Sequence, residues 1–121
     1  MTTQRIILIG DFTKNCNSSS ITINMSVFKK TLAKEKFDTM FLLGDLLYNM
    51  PTDCSEQSID FINTCFLQYL STIPVMKYVI LGNHDVKGGK TGIQCFKKML
   101  NTYNNFYFKE RFYVVELPHS V

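Results

Sequence analysis

The hydropathy pattern of this chain repeats one unit three times. The first copy reads Ile6-Ile7-Leu8-Ile9-Gly10-Asp11, the second Phe41-Leu42-Leu43-Gly44-Asp45, and the third Tyr78-Val79-Ile80-Leu81-Gly82-Asn83-His84-Asp85. Each is a short apolar run, then a glycine, then an oxygen-bearing side chain. A continuous apolar run bounded by glycine predicts a strand buried on both faces, as in a parallel sheet. Ligands of open α/β sheets bind just beyond the carboxyl ends of such strands. With the three strands side by side, Asp11, Asp45, Asn83 and His84 converge on one rim.

The segments between the units read as helices. A polar connection from Asp11 to Ser20 leads into a helix over about Ile21 to Lys36, capped by Ser19 or Ser20. Its apolar stripe is Ile21, Met25, Phe28, Leu32 and Phe37, with Lys29, Lys30 and Lys34 facing water. After a turn at Pro51-Thr52, Asp53 with Glu56 forms a capping-box signature. The helix it opens runs to about Leu70, with Ile59, Ile62, Phe66, Tyr69 and Leu70 inward, and Pro74 stops it. A glycine-rich loop at Gly88-Gly89 precedes a third helix, capped by Thr91 with Gln94, whose inner face is Ile93, Phe96, Leu100 and Tyr103. Asn104-Asn105 break it, and Phe106 to Leu117 reads as one or two further strands. The strands themselves are expected over Arg5–Ile9, Thr39–Leu43 and Lys77–Leu81. The fold class is therefore α/β, in the order β-α-β-α-β-α-β, with one mainly parallel sheet and right-handed crossovers.

Composition narrows the function. The 121 residues suggest one domain, 1–121, with a modest core. A net charge of +3 without a dense basic stripe gives no support to nucleic-acid binding. No signal peptide or membrane span is visible, which makes the cytoplasm the default location. In that setting Cys16, Cys54, Cys65 and Cys95, widely spaced and without a C-x-x-C pair, are expected to be reduced thiols. The sequons Asn17-Ser18-Ser19 and Asn24-Met25-Ser26 are expected to be chance matches. No G-x-G-x-x-G or P-loop lysine follows the first strand, so a generic nucleotide-binding domain is the weakest of the functional readings.

The rim residues carry the chemistry. One aspartate after a strand is ordinarily a cap or turn former. Two, Asp11 and Asp45, at one buried rim repel each other unless a cation lies between them. Asn83 adds a neutral carbonyl oxygen, and such hard donors suit a metal site. His84 has two readings: a donor or general acid toward a substrate oxygen, or a histidine held in place by Asp85.

Gly10-Asp11, Gly44-Asp45-Leu46-Leu47-Tyr48 and Gly82-Asn83-His84-Asp85, in this order and at strand ends, resemble the calcineurin-like metallophosphoesterase superfamily. The G-D-x-x-Y form is similar to the small, tartrate-resistant type of purple acid phosphatase, as is Tyr103-Asn104-Asn105-Phe106-Tyr107. The resemblance implies the N-terminal half of an αββα sandwich and hydrolysis of a phosphomonoester by a dinuclear centre of Fe(III) with Fe(II) or Zn(II). It implies that Asp11 and Tyr48 bind the ferric ion, that Asp45 bridges, that Asn83 binds the divalent ion and substrate, and that His84 contacts the substrate phosphate. Tyr48 could instead be a rim aromatic packed on the following helix. Thr13 stands where many relatives have a histidine ligand and the purple branch has glycine.

The pattern's later histidines, including a G-H-x-H segment, do not occur here; the only histidines are His84 and His119, and His119 is expected in an exposed tail. The chain alone is thus expected to be weakly active or inactive. Its partners would be a complementing C-terminal half or a second copy at the uncovered sheet face. The competing reading is a non-catalytic scaffold that keeps the phosphoesterase fold.

Overall fold

The structure is a computed structural model, and it describes residues 4–10, 26, 28–31 and 34–109. Strands β1 (Ile6–Ile9), β2 (Thr39–Leu43), β3 (Met76–Ile80) and β4 (Phe106–Tyr107) form one sheet in the order β1-β2-β3-β4. Every neighbouring pair is parallel. The α/β reading and the strand positions hold to within a residue or two. Residues 26, 28–31 and 34 of the expected first helix are helical. The rest of that helix, the connection from Asp11, and residues 110–121 with His119 lie outside the described residues.

A sheet whose strands follow one another in sequence order, joined by right-handed crossovers, collects its helices on one face. Burial shows this. Met40 and Leu42 on β2, and Lys77 and Val79 on β3, are wholly buried. Their neighbours on the opposite face, Leu43 and Met76, are exposed, and Leu8 on β1 is 62% exposed. The strands are thus not buried on both faces, as their continuous apolar runs predicted. The runs are apolar on both sides, but among the described residues only one side is covered.

Phe28 of the first helix packs on the core, and three further helical segments among the described residues build that cover. The first starts as α1 (Glu56–Ile62), passes through a π-helical turn (Asn63–Leu67) and ends as α2 (Gln68–Leu70). The wide turn brings three successive residues, Cys65, Phe66 and Leu67, into the core, which a regular helical period does not do. The cap is Ser55 rather than Asp53: Ser55 Oγ accepts from the Ser58 N–H at 3.2 Å. Asp53 instead accepts from the Ser55 N–H at 3.2 Å and the Ser55 hydroxyl at 3.0 Å, closing a turn just before the helix.

The second segment is the short helix α3 (Asn83–Val86). The third, α4 (Gly89–Leu100), begins at the glycines that were expected to form a loop, without the Thr91–Gln94 cap. The reason is packing. A Cβ on Gly88 or Gly92 would strike Met50 or Pro51, so α4 can lie against the turn after β2 only with glycine there. Phe96 and Leu100 of α4 reach the core, where Phe66 meets Phe96 edge-on at 5.3 Å.

Two features correct the sequence reading further. Cys54 and Cys95 form a disulfide, with Cα atoms 5.5 Å apart, that ties the approach to α1 to the buried side of α4. Cys65 is also disulfide-bonded. The expectation of reduced thiols fails because a separation of 41 residues in sequence hides two positions that the fold brings to bridging distance. Lys77 lies wholly inside the sheet–helix interface. Its Nζ donates to the Ile73 and Val75 carbonyls and sits 4.7 Å from the centre of the Phe106 ring. It thereby satisfies carbonyls beyond the end of α2 that have no helical partner. Among the described residues no helix is long and apolar enough to cross a membrane.

Candidate metal centre

The carboxyl ends of β2 and β3 come together through two glycines. Gly44 has φ of 93°, open to glycine but strained for other residues. A Cβ there would stand 2.7 Å from the Gly82 nitrogen. A Cβ on Gly82 would in turn overlap the Asp45 carboxylate and main-chain nitrogen. The two exits can touch only because both residues lack a side chain. Asp45 follows in a left-handed conformation with φ of 50°, which costs a non-glycine residue about 1 kcal/mol. That sharp turn sends its carboxylate across to the start of α3, where Oδ1 accepts the His84 N–H at 2.9 Å.

Asn83 faces the same carboxylate. With Nδ2 turned inward it donates to both Asp45 oxygens at 3.2 Å. With Oδ1 turned inward, three oxygen acceptors crowd one point with no proton among them. In that orientation the carboxylate and amide oxygens are hard donors of the kind that suit a cation. The residues therefore fit a metal. The His84 ring lies against Tyr48, with ring centres 4.2 Å apart and planes tilted by 35°. Contact of this kind contributes about 1 kcal/mol and restricts the imidazole's rotation.

The structure thus unites Asp45, Tyr48, Asn83 and His84. Asp11 lies outside the described residues, although Gly10 just before it is next to the β2 exit, where a Cβ would lie 3.8 Å from the Gly44 carbonyl oxygen. Among the described residues no three His, Cys, Asp or Glu side chains cluster as a metal cage. A cleft of about 310 Å³ opens at the opposite end of the strands, lined by Glu35, Asp38, Pro74 and Val75 among others, and holds none of the expected site residues.

Asp85 does not take the role that one of the two readings of His84 gave it. It does not hold the His84 ring. Wholly buried, it accepts the main-chain N–H groups of Leu46 at 3.1 Å, Leu47 at 2.7 Å and Gly82 at 2.9 Å. Burial pushes its pKa above the usual carboxylate value. The three N–H donors act against that push, and the nearby Asp45 charge adds to it. Sequence reasoning missed this role because three main-chain donors leave no trace in residue identity. The only signal was an acid directly after the histidine of the third unit.

The family follows from the sequence. The chain matches the calcineurin-like phosphoesterases over residues 4–119, so it belongs to that family. No curated protein matches it. The family supports metal-dependent phosphoester hydrolysis as the general activity and generally uses a dinuclear metal centre.

Proposed function

We propose that the chain carries one half of the dinuclear centre of an acid phosphatase of the purple type, acting on phosphomonoesters. The reading rests on one observation above the rest: the Asn83 amide faces both Asp45 oxygens while Tyr48 packs against His84 at the same strand ends. Asp11, Asp45, Tyr48 and Asn83 would hold Fe(III) with Fe(II) or Zn(II). Once bound, the metals would make water more acidic and neutralise phosphoryl charge. The chain's own residues do the rest. Asp45 holds the backbone of the third unit through the His84 N–H, and Tyr48 limits the imidazole's movement. Asn83 and His84 then offer N–H donors to phosphoryl oxygens, with His84 placed to protonate the leaving oxygen. The Cys54–Cys95 disulfide supports an oxidising compartment for this protein rather than the cytoplasm.

Loading the chain with Fe(III) and either Fe(II) or Zn(II) tests the ligand set. A visible tyrosinate–iron absorption band is expected, and Tyr48→Phe should remove it. A band that survives this change would remove Tyr48 from the ligands.

A scaffold role is favoured by a different observation. The chain contains only two histidines, and the uncovered sheet face is apolar. Hydrolysis of a generic phosphomonoester separates the readings. The chain alone should turn it over weakly. Robust metal-dependent turnover, abolished by Asp45→Asn, would eliminate the scaffold reading.

A further inference from the structure

The exits of β2 and β3 are joined by two reciprocal clasps. Asp45, from the β2 exit, accepts the His84 N–H of the β3 exit at 2.9 Å. Asp85, from the β3 side, accepts the Leu46 and Leu47 N–H groups of the β2 exit at 3.1 and 2.7 Å. It also accepts the Gly82 N–H of its own loop at 2.9 Å. Each acid thus binds the main chain of the other unit. Asp45 and Asp85 differ in exposure, however. Asp45 is half-buried at the rim, while Asp85 has no exposed surface and lies beneath it between Leu46 and Leu47, also wholly buried.

We infer that Asp85 is a positioning residue: its carboxylate fixes the β2 exit against the β3 exit and so sets the spacing of Asp45 from Asn83 and His84. The inference rests on the proposed function only in taking that spacing to matter for metal binding. The chemistry requires a carboxylate. Three N–H donors converge on two oxygens, and Oδ2 takes two of them, from Leu46 and Gly82. An asparagine has one acceptor oxygen, so its NH₂ group would face at least one of these donors. A buried donor facing a donor loses its hydrogen bond and repels. The exits would then be held to each other by the Asp45–His84 bond alone.

The test compares the full chain with Asp85→Asn in two measurements. The first is amide hydrogen exchange and chemical shift by NMR. In the wild type, the amides of Leu46, Leu47, Gly82 and His84 should exchange slowly. In Asp85→Asn they should exchange faster and the His84 amide should shift, while β2 and β3 amides stay protected. The second is Zn²⁺ titration by calorimetry, with affinity expected to fall about 10- to 100-fold, the usual effect of losing a group that orients a metal ligand. A folded variant with wild-type Zn²⁺ affinity and an unmoved His84 amide would overturn the inference. If Asp85→Asn does not fold, the wild-type exchange decides: fast exchange at Leu46 and Leu47 overturns the clasp, and slow exchange supports it. A wild type that binds no Zn²⁺ would count against the proposed function instead, and the amide measurements would still decide the clasp.

Discussion

A methyl group on Gly82 would run into the carboxylate and main-chain nitrogen of Asp45. Both obstacles are fixed, one by its φ of 50° and the other by its bond to His84. Gly82→Ala should therefore cost about 1–3 kcal/mol of stability, the usual range for overpacking, and should weaken metal binding in parallel. Chemical denaturation and metal titration of the same variant measure both effects; an unchanged pair of values would show that the contact is slack. Lys77 offers a second test at this scale. Burial lowers its pKa from 10.5 to about 8. The unfolded chain then binds more protons between those values, so this residue's contribution to stability rises as pH increases from about 8 to 10.5. The full shift corresponds to at most about 3 kcal/mol, and the carbonyl bonds and the Phe106 ring reduce it by favouring the charged form. The difference in unfolding free energy between wild type and Lys77→Met should change across that pH window; a constant difference would contradict a buried, proton-losing lysine. The motif pointed to Asp45, Asn83, His84 and Tyr48 in sequence, and the structure brings these four to the same strand ends. Asp85 and Lys77 were not, because their partners are main-chain groups and carbonyls, supplied by tertiary placement.

The strands were readable because a short apolar run ending in glycine has few alternatives. Helix starts were less so, since the signals that mark them are shared among neighbours. Asp53, Ser55 and Ser58 all carry capping oxygens, and only the geometry makes Ser55 the cap and Asp53 the turn before it. Gly88-Gly89 looked like a loop, but the value of Gly88 lies in close packing on Met50 and Pro51, which no local pattern encodes, while Gly89 takes a φ of 68° at the start of α4. The disulfide reinforces that same junction. It joins the end of the turn after β2 to α4, closing a loop of about 41 residues. Loop-closure entropy puts its stabilisation at about 4 kcal/mol. Replacing both Cys54 and Cys95 with serine should lower the unfolding free energy by up to that amount. Equal denaturation midpoints for the double variant and the wild type would mean that the junction is held by packing alone.

At the scale of the whole molecule, one face of the sheet is uncovered among the described residues. Strand register places Leu8, Phe41 and Tyr78 side by side, with Tyr107 next to Tyr78. Phe41 and Tyr78 stack at 5.4 Å, and Tyr78 meets Tyr107 edge-on at 5.7 Å. Ile6, Leu43 and Met76 extend the apolar surface along the strands. The apolar runs of β1 and of β2 after Thr39 already announced this face in sequence, because a strand bordered by water normally alternates with polar residues. A patch of this kind favours association. The isolated chain should therefore show concentration-dependent self-association by analytical ultracentrifugation. Ile6→Lys with Met76→Lys should suppress it, since two charges on the patch must be desolvated before a second surface can dock. Both residues start their strands, at the end away from Asp45 and His84, so metal binding by the monomer should persist. Association that continues unchanged in the double variant would place the contact elsewhere. A wild type that stays monomeric at all concentrations would show that the face does not drive association.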